Sequence, residues 1–349
     1  MIDLSLDEIF ARMNELGKSI EPVMYKFLLK GVHEDFKDLI AWQTGTGGKR
    51  LRPALTMLFA QAYGASLEDP EVLAAAAGIE LIHTYSLILD DIIDRGDLRR
   101  GKQTVRAKYG DEFAILAGII HREAVYEAAK ATGKHQIATN AVYSKTIRKL
   151  VEGERLDILF EQRDERTHEY FRTHRYSTVT LEDYERMIAG KTASLLAAAC
   201  RLGALVGGAS DEEQAYAESY GRTVGIAFQI ADDYLDMFAI SDEFGKEIYK
   251  DIVEQKLGNY VVVQALRELN EQEAHILKEH LTNSALSDKE RIKKCVPLIE
   301  KTKAKEIIIK EAEKWTHKAN AILSTVNFKN EELRVVLEKI AEFAVKRAF

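Results

Sequence analysis

The distribution of proline limits the folds open to this 349-residue chain more than any other feature. Its four prolines are Pro22, Pro53, Pro70 and Pro297, so more than half of the chain runs without one. A proline inside a helix costs about 3 kcal/mol, and such a gap is therefore expected of long helices and not of a loop-rich β protein.

The remaining pattern also favours helices. The chain is rich in Ala, Leu, Glu and Lys and lacks the two-residue alternation of strands. The stretches 72–89 and 192–205 are apolar nearly all round, which predicts central helices. No linker or repeat stands out, so we predict one all-α domain over residues 1–349. Helix breaks are predicted at 45–48, 64–70, 132–134 and 207–211.

Composition and charge exclude several classes of protein. The chain is 46% hydrophobic and 30% charged, with a net charge of −7, so it lacks the global basic field of a nucleic-acid partner. Its charge-free apolar runs, such as 81–89, are far shorter than the roughly 20 residues that span a bilayer. The N-terminal residues do not resemble a signal peptide, and the two cysteines suggest a reducing compartment. We therefore predict a cytoplasmic protein without a stable membrane span.

One segment departs from the helical pattern. Residues 162–180 are polar, rich in Arg and His and poor in large aliphatic side chains. They predict a solvated insert before the next helix.

Two acidic clusters carry the first chemical signal. Asp90, Asp91 and Asp94 end one apolar helical run, and Asp232, Asp233 and Asp236 end another at the same spacing. On a helix, residues four apart share a face, so each cluster gathers its carboxylates on one side. A single cluster could be a solvated helix end, but two copies favour a hard cation such as Mg²⁺ or Mn²⁺, shared with substrate phosphates.

Basic residues lie close to the first acidic cluster in the sequence. Gly47–Pro53 places Lys49, Arg50 and Arg52 after a glycine turn, and Arg99 and Arg100 follow Asp94. Arginine and lysine in this setting suit phosphate. A nucleotide-binding P-loop ending at Gly190–Thr192 is rejected, because Glu185 stands where its first glycine is required.

Taken in order, these segments resemble the trans-isoprenyl diphosphate synthases of the polyprenyl synthetase family. The resemblance covers nearly the whole chain and rests on GGKRLRP at 47–53, HTYSLILDDIIDRGDLRRG at 83–101, GERLD at 153–157, GKTA at 190–193, FQIADDYLD at 228–236, FGK at 244–246 and KDI at 250–252.

This resemblance implies a helical bundle around a central active-site cavity, commonly in a homodimer, and an Mg²⁺-dependent reaction with Mn²⁺ as a substitute. The metal ligands implied are Asp90, Asp94 and Asp232. The catalytic set implied is Asp90, Asp91, Asp94, Arg99, Lys191, Thr192, Gln229, Asp232, Asp233 and Asp236. The diphosphate of isopentenyl diphosphate would bind Lys49, Arg52, His83 and Arg100, and the allylic diphosphate would bind Arg99, Lys191, Lys246 and Lys256, with Thr192 and Gln229 near the reacting carbons.

The implied reaction is ionisation of the allylic diphosphate, condensation with isopentenyl diphosphate and loss of a proton. Tyr85, five residues before Asp90, resembles the aromatic residue of short-chain enzymes and predicts geranylgeranyl diphosphate, with farnesyl or geranylfarnesyl diphosphate as alternatives. Leu89, Ile119 and Gln255 depart from the family pattern, which usually has His, Asp and Gly there. A class I terpene cyclase and a non-catalytic partner subunit remain as rival interpretations.

Overall fold

A computed structural model of the chain describes residues 6–48, 50–163, 168–239, 248–326 and 328–346. Helices dominate these residues, so the predicted all-α class is confirmed. The helices are α1 (Leu6–Ser19), α2 (Glu21–Leu28), α3 (Glu34–Ala41), α4 (Leu51–Ala62), α5 (Pro70–Ile93), α6 (Val105–Tyr109), α7 (Asp111–Lys130), α8 (Gln136–Phe160), α9 (Glu169–His174), α10 (Leu181–Ile188), α11 (Ser194–Val206), α12 (Asp211–Phe238), α13 (Lys250–Val253), α14 (Tyr260–Glu268), α15 (Glu271–Thr282), α16 (Asp288–Glu300), α17 (Ala304–Ser324) and α18 (Glu331–Lys346).

A small β-hairpin interrupts the helices after α5. Strands β1 (Leu98–Arg99) and β2 (Lys102–Gln103) pair antiparallel across a two-residue turn. The turn residues, Arg100 and Gly101, have φ angles of 54° and 73°. Positive φ at both positions is what a type I′ turn requires, and this turn matches the twist of the strands it joins. The sequence analysis did not predict this hairpin.

The chain forms two compact units. The first is drawn from residues 1–148, 195–222 and 322–340, and the second from 149–194, 223–321 and 341–349. The single-domain prediction spans both units and stays a prediction.

In the first unit, α5 is a core helix, as its sequence predicts. Asp69 caps the N-terminus of this helix, and its side chain accepts a hydrogen bond of 2.8 Å from the Glu71 amide. Pro70 is the first residue of the helix, a position that proline favours. Tyr143 of α8 packs directly onto α5 and donates its hydroxyl to the Ala75 carbonyl at 2.8 Å. This approach depends on Gly78, because a Cβ there would lie 2.2 Å from the Tyr143 hydroxyl.

The predicted helix break at 207–211 is confirmed in detail. Gly208 has a φ of 83°, in the left-handed region that commonly ends a helix. Ser210 and Glu213 then form a reciprocal cap at the start of α12: the Ser210 amide donates to Glu213 Oε2 at 2.7 Å, and the Glu213 amide donates to Ser210 Oγ at 3.3 Å.

The second unit has its own apolar core. Buried side chains from α8, α10, α12 and α14 meet there, including Phe160, Tyr184, Ile230 and Val262. A short π-helical segment (Ala189–Ala193) connects α10 to α11. Such segments are rare and often mark functional sites, and the sequence analysis did not predict this one.

The polar segment 162–180 is anchored to the second unit. Residues 164–167 lie outside the described part of the chain. Phe171 of α9 is buried, and the Gln162 side chain donates from Nε2 to the Tyr176 carbonyl at 2.9 Å. Most of its other described residues are exposed, so the segment is a mostly solvated insert that is anchored at a few points.

Two stretches are long and apolar enough to cross a membrane by length and composition: Pro70–Ile93 and Leu181–Val206. In each, 67% of the apolar window is buried inside the protein. Core helices commonly have this composition, so the two stretches are weak grounds for a membrane span.

Candidate active site

The first acidic cluster lies at the C-terminal end of α5, where the helix dipole disfavours negative charge. Asp91 is buried, Asp90 is half-buried, and Asp94 caps the helix. Arg99 of the hairpin donates from Nε to Asp91 Oδ1 at 2.9 Å and from Nη2 to Asp90 Oδ2 at 3.3 Å. Burial would lower the pKa of Arg99, but Asp91 and then Asp90 and Asp94 outweigh it and raise this pKa. The hairpin thus supplies the cation that three neighbouring carboxylates need.

The hairpin turn also places Arg100 against the glycine loop before α4, which contains Gly47 and Gly48. A Cβ on Gly48 would lie 2.5 Å from Nη1 of Arg100, so a larger residue there would force this guanidinium to shift. Gly48 has a φ of 147° and Gly47 one of 84°. The sequence-predicted neighbours Gly47–Arg52 and Arg99–Arg100 are therefore brought together, although Lys49 itself lies outside the described residues.

Arg52 and His83 form a third part of this basic region. Arg52 Nη1 donates to His83 Nε2 at 3.2 Å. Burial lowers the pKa of His83 well below its usual value, and the positive charges of Arg52, Arg100 and Arg99 add to that effect. His83 is consequently neutral and accepts the hydrogen bond. An anion such as a diphosphate would relieve the repulsion among these arginines.

Arg50 is a structural residue whose role the sequence analysis missed. Its guanidinium is buried and donates to Glu80 Oε1 at 2.6 Å, to the Thr44 carbonyl at 2.8 Å and to Glu21 Oε1 at 3.3 Å. Its φ of 45° turns the chain from the glycine loop into α4. Glu80, an acid in the buried half of apolar helix α5, is the sequence signal that could have revealed a buried cationic partner.

The loop before Arg50 is fixed from the other side by His121 of α7. His121 Nδ1 donates to the Ala117 carbonyl at 2.8 Å, and Nε2 lies 3.2 Å from Thr44 Oγ1. Burial lowers the pKa of His121 to about 4, so the ring is neutral and its Nε2 accepts from the threonine hydroxyl. Arg50 and His121 together set the path of the chain towards Arg52.

In the second unit, Lys191 and Lys256 both lie beside Asp157. Lys191, in the π segment, has its Nζ 2.6 Å from Asp157 Oδ2 and 2.8 Å from Glu154 Oε2. Lys256 Nζ is 3.2 Å from the same Asp157 oxygen and 3.1 Å from Glu254 Oε2. The two lysines predicted from widely separated motifs are thus neighbours.

Thr192 and Gln229 are joined by a directed chain of hydrogen bonds. Asp233 Oδ1 accepts from Gln229 Nε2 at 3.0 Å, and its Oδ2 accepts from the Tyr260 amide at 2.8 Å. Gln229 Oε1 faces Thr192 and accepts its hydroxyl at 2.7 Å. Asp233 therefore orients Gln229, and Gln229 orients Thr192.

The other residues of the second acidic cluster have different surroundings. Asp232 is half-buried on α12. Asp236 accepts from the Lys250 and Asp251 amides at 3.0 and 3.3 Å, which caps the start of α13. Burial, followed by the charge of Asp251, raises the pKa of Asp236 to about 7. Lys246 lies outside the described residues, and Tyr85 is half-buried on α5.

The helical architecture and these paired acidic and basic groups define a class of helical enzymes that act on diphosphates. The sequence model of the polyprenyl synthetase family matches residues 33–299, and the chain belongs to that family.

Individual relatives agree with this assignment. The chain is 36% identical over 303 residues to a short chain isoprenyl diphosphate synthase of Methanothermobacter thermautotrophicus, covering 86% of this chain and 87% of the relative. A geranylgeranyl pyrophosphate synthetase structure from Pyrococcus horikoshii superposes with a TM-score of 0.85 at 30% identity, covering 98% and 99% of the two chains. A decaprenyl diphosphate synthase structure from Rhodobacter capsulatus gives the same TM-score and coverage at 27% identity. The fold alone therefore does not distinguish short from long products.

Proposed function

We propose that this trans-prenyltransferase condenses isopentenyl diphosphate with an allylic prenyl diphosphate and releases pyrophosphate. The observation that carries this proposal is the convergence of Arg52, Arg100 and Arg99 around His83, with Arg99 also paired to the carboxylates at the end of α5. A metal-bridged diphosphate and a second diphosphate need this combination of acids and bases.

The residues present fit a magnesium requirement. We propose Asp90, Asp94 and Asp232 as the ligands of Mg²⁺, with Mn²⁺ as a substitute. Their donors are all carboxylate oxygens, and Mg²⁺ usually takes only one or two carboxylates together with water and phosphate oxygens. Within the described ranges, no group of three or more His, Cys, Asp or Glu side chains is arranged to hold a metal ion. In this proposal, substrate oxygens would supply the remaining ligands. When bound, the metal supplies positive charge that stabilises the leaving pyrophosphate.

The chain's own residues would bind and orient the two substrates. Arg52, His83 and Arg100, with Lys49, hold the diphosphate of isopentenyl diphosphate in this proposal. Arg99, Lys191 and Lys256, with Lys246, contact the allylic diphosphate and stabilise it as it leaves. The Thr192 hydroxyl donates a hydrogen bond to Gln229, so the lone pairs of its oxygen can face the allylic carbocation. Asp91 acts through Arg99, Asp233 through Gln229, and Asp236 through the start of α13.

The direct test is product analysis of the purified chain with labelled isopentenyl diphosphate, an allylic primer and Mg²⁺. Elongated linear prenyl diphosphates are expected. Cyclic hydrocarbons would instead identify a class I terpene cyclase, and absence of any product would favour a non-catalytic partner subunit. Both would contradict the proposal.

The two diphosphate sites can be separated kinetically. Replacing Arg52 by Ala should raise the KM for isopentenyl diphosphate about tenfold or more, because a charge-assisted hydrogen bond to phosphate is lost. The KM for the allylic substrate should change less than about twofold. Steady-state rates with each substrate varied in turn provide the measurement, and equal effects on both would overturn the division.

We propose a short product, with geranylgeranyl diphosphate favoured over farnesyl and geranylfarnesyl diphosphate. Tyr85 lies about one and a half turns before Asp90 on α5, and a phenol ring there would block an elongating tail. Tyr85→Ala should therefore yield longer products in chromatography of the dephosphorylated mixture. Tyr170→Ala, a change at an exposed tyrosine of α9, is the matched control. An unchanged product distribution in Tyr85→Ala would exclude the floor role.

We also propose a homodimer and a cytoplasmic location. The support for a dimer is an apolar face on α7, where five large side chains are 46–53% exposed. Exposed apolar groups of this kind mark protein interfaces. The face includes Ile119, which stands where the family usually has Asp, and consists of Phe113, Ile115, Leu116, Ile119 and Tyr126.

A further inference from the structure

The proposed function assigns no role to the motif at 153–157, although its last residue, Asp157, lies between two lysines. Asp157 lies near the end of α8 and is only 6% exposed. Its Oδ2 atom accepts from Lys191 Nζ at 2.6 Å and from Lys256 Nζ at 3.2 Å. Two ammonium groups from distant parts of the chain therefore share one carboxylate oxygen.

The backbone brings Lys191 to Asp157 through a close helix contact. A Cβ on Gly153 would lie 2.1 Å from the Lys191 amide nitrogen, and one on Gly190 would lie 2.7 Å from the Lys149 carbonyl oxygen. Glycine at both positions lets α8 and the π segment touch. Asp157 follows Gly153 by four residues and so projects from the same side of α8.

The backbone brings Lys256 to the same end of α8 by a separate route. The Leu257 amide donates to the Phe160 carbonyl at 3.1 Å, and the Gln162 amide donates to the Gln255 carbonyl at 3.0 Å. These bonds flank Lys256 on both sides and fix its backbone against the end of α8. Helix α8 is thus the common support of both lysines.

The electrostatics favour an ionised Asp157. Burial alone would raise its pKa, but the charges and hydrogen bonds of Lys191 and Lys256 outweigh burial and hold this pKa well below its usual range. Without this carboxylate, the two ammonium groups would repel each other, and each long side chain would regain rotameric freedom.

We propose that Asp157 is a positioning residue that holds Lys191 and Lys256 together, ready to bind the allylic diphosphate. This inference rests on the proposed function, which assigns both lysines to that diphosphate. Its energetic basis is preorganisation: ordering two flexible lysines before the substrate arrives reduces the entropy lost on binding and on ionisation. Glu154 pairs with Lys191 and Glu254 pairs with Lys256, whereas Asp157 contacts both lysines.

The test uses the full-length enzyme with Asp157→Asn and Asp157→Glu. The first variant removes the charge and the second keeps it but moves the oxygen along a longer side chain. Both should lower kcat/KM for the allylic substrate at least tenfold and change the KM for isopentenyl diphosphate less than twofold. Glu152→Gln is the control, because Glu152 is exposed on the same helix and pairs with its neighbour Arg155. This variant should leave all parameters unchanged.

A double-mutant cycle distinguishes positioning from a general structural role. In a Lys191→Met or Lys256→Met background, the effect of Asp157→Asn on allylic kcat/KM should shrink at least threefold, since one of its two targets is gone. Full additivity, an equal effect on both substrates, or unchanged allylic kinetics in Asp157→Glu would overturn the inference. If Asp157→Asn fails to fold by circular dichroism, Asp157→Glu still decides. A wild-type enzyme without condensation activity would refute the proposed function instead.

Discussion

Replacing Asp90 or Asp232 by alanine should reduce the condensation turnover by about a thousandfold or more. Stabilisation of charge on the departing group is commonly the largest contribution to catalysis, and these carboxylates are proposed to hold the metal that provides it. Chelation of the wild-type enzyme with EDTA should abolish turnover, and added Mg²⁺ should restore it. Single-turnover assays with an allylic primer and labelled isopentenyl diphosphate measure both effects.

A matched control for this prediction lies on the same helix as Asp232. Asp211 is exposed in the first turn of α12, so Asp211→Ala removes an equal charge far along the helix from the motif. Its turnover should stay near that of the wild type. Near-normal turnover in Asp90→Ala or Asp232→Ala would refute the ligand assignment for that residue.

Glu80→Ala should lower the free energy of unfolding by about 3–5 kcal/mol, because it leaves the Arg50 guanidinium buried without its nearest counter-ion. The side chains of Arg50 and Glu80 are 3% and 4% exposed, and Glu21 provides only a longer contact of 3.3 Å. Urea unfolding followed by circular dichroism measures the loss.

Two further variants separate the charge effect from loss of packing. The double variant Arg50→Met/Glu80→Leu removes both charges and should recover most of the lost stability. Glu34→Ala breaks an exposed pair with Lys37 on α3 and should cost less than about 1 kcal/mol. A loss in Glu80→Ala no larger than that in Glu34→Ala would contradict a buried ion pair.

The sequence predicts the features of this protein that depend on local patterns. The long stretch without proline between Pro70 and Pro297 predicts helices. Gly208 and Ser210 predict the break before α12, and the apolar stretch from residue 72 predicts a core helix. Each of these signals lies within the segment whose structure it predicts, where backbone conformation and side-chain chemistry are directly linked.

Several of the missed features depend on contacts between distant residues. Arg50 lies 30 positions from Glu80, and Lys256 lies 99 positions from Asp157. No local sequence signal distinguishes Arg50, which forms a buried ion pair with Glu80, from Arg52. The structure separates the buried Arg50 from Arg52 and assigns partners to Asp157, whereas the predicted roles of the site residues stay predictions.

The turn of the β-hairpin has a consequence for attempts to stabilise this enzyme. A left-handed conformation costs a residue such as Arg100 about 1–2 kcal/mol, a cost that glycine avoids. The substitution Arg100→Gly would therefore be an early choice in any attempt to raise the thermal stability of this enzyme. In the proposed function, the more stable Arg100→Gly hairpin would lack a diphosphate-binding guanidinium, so selection for heat resistance alone would trade activity for stability at this turn.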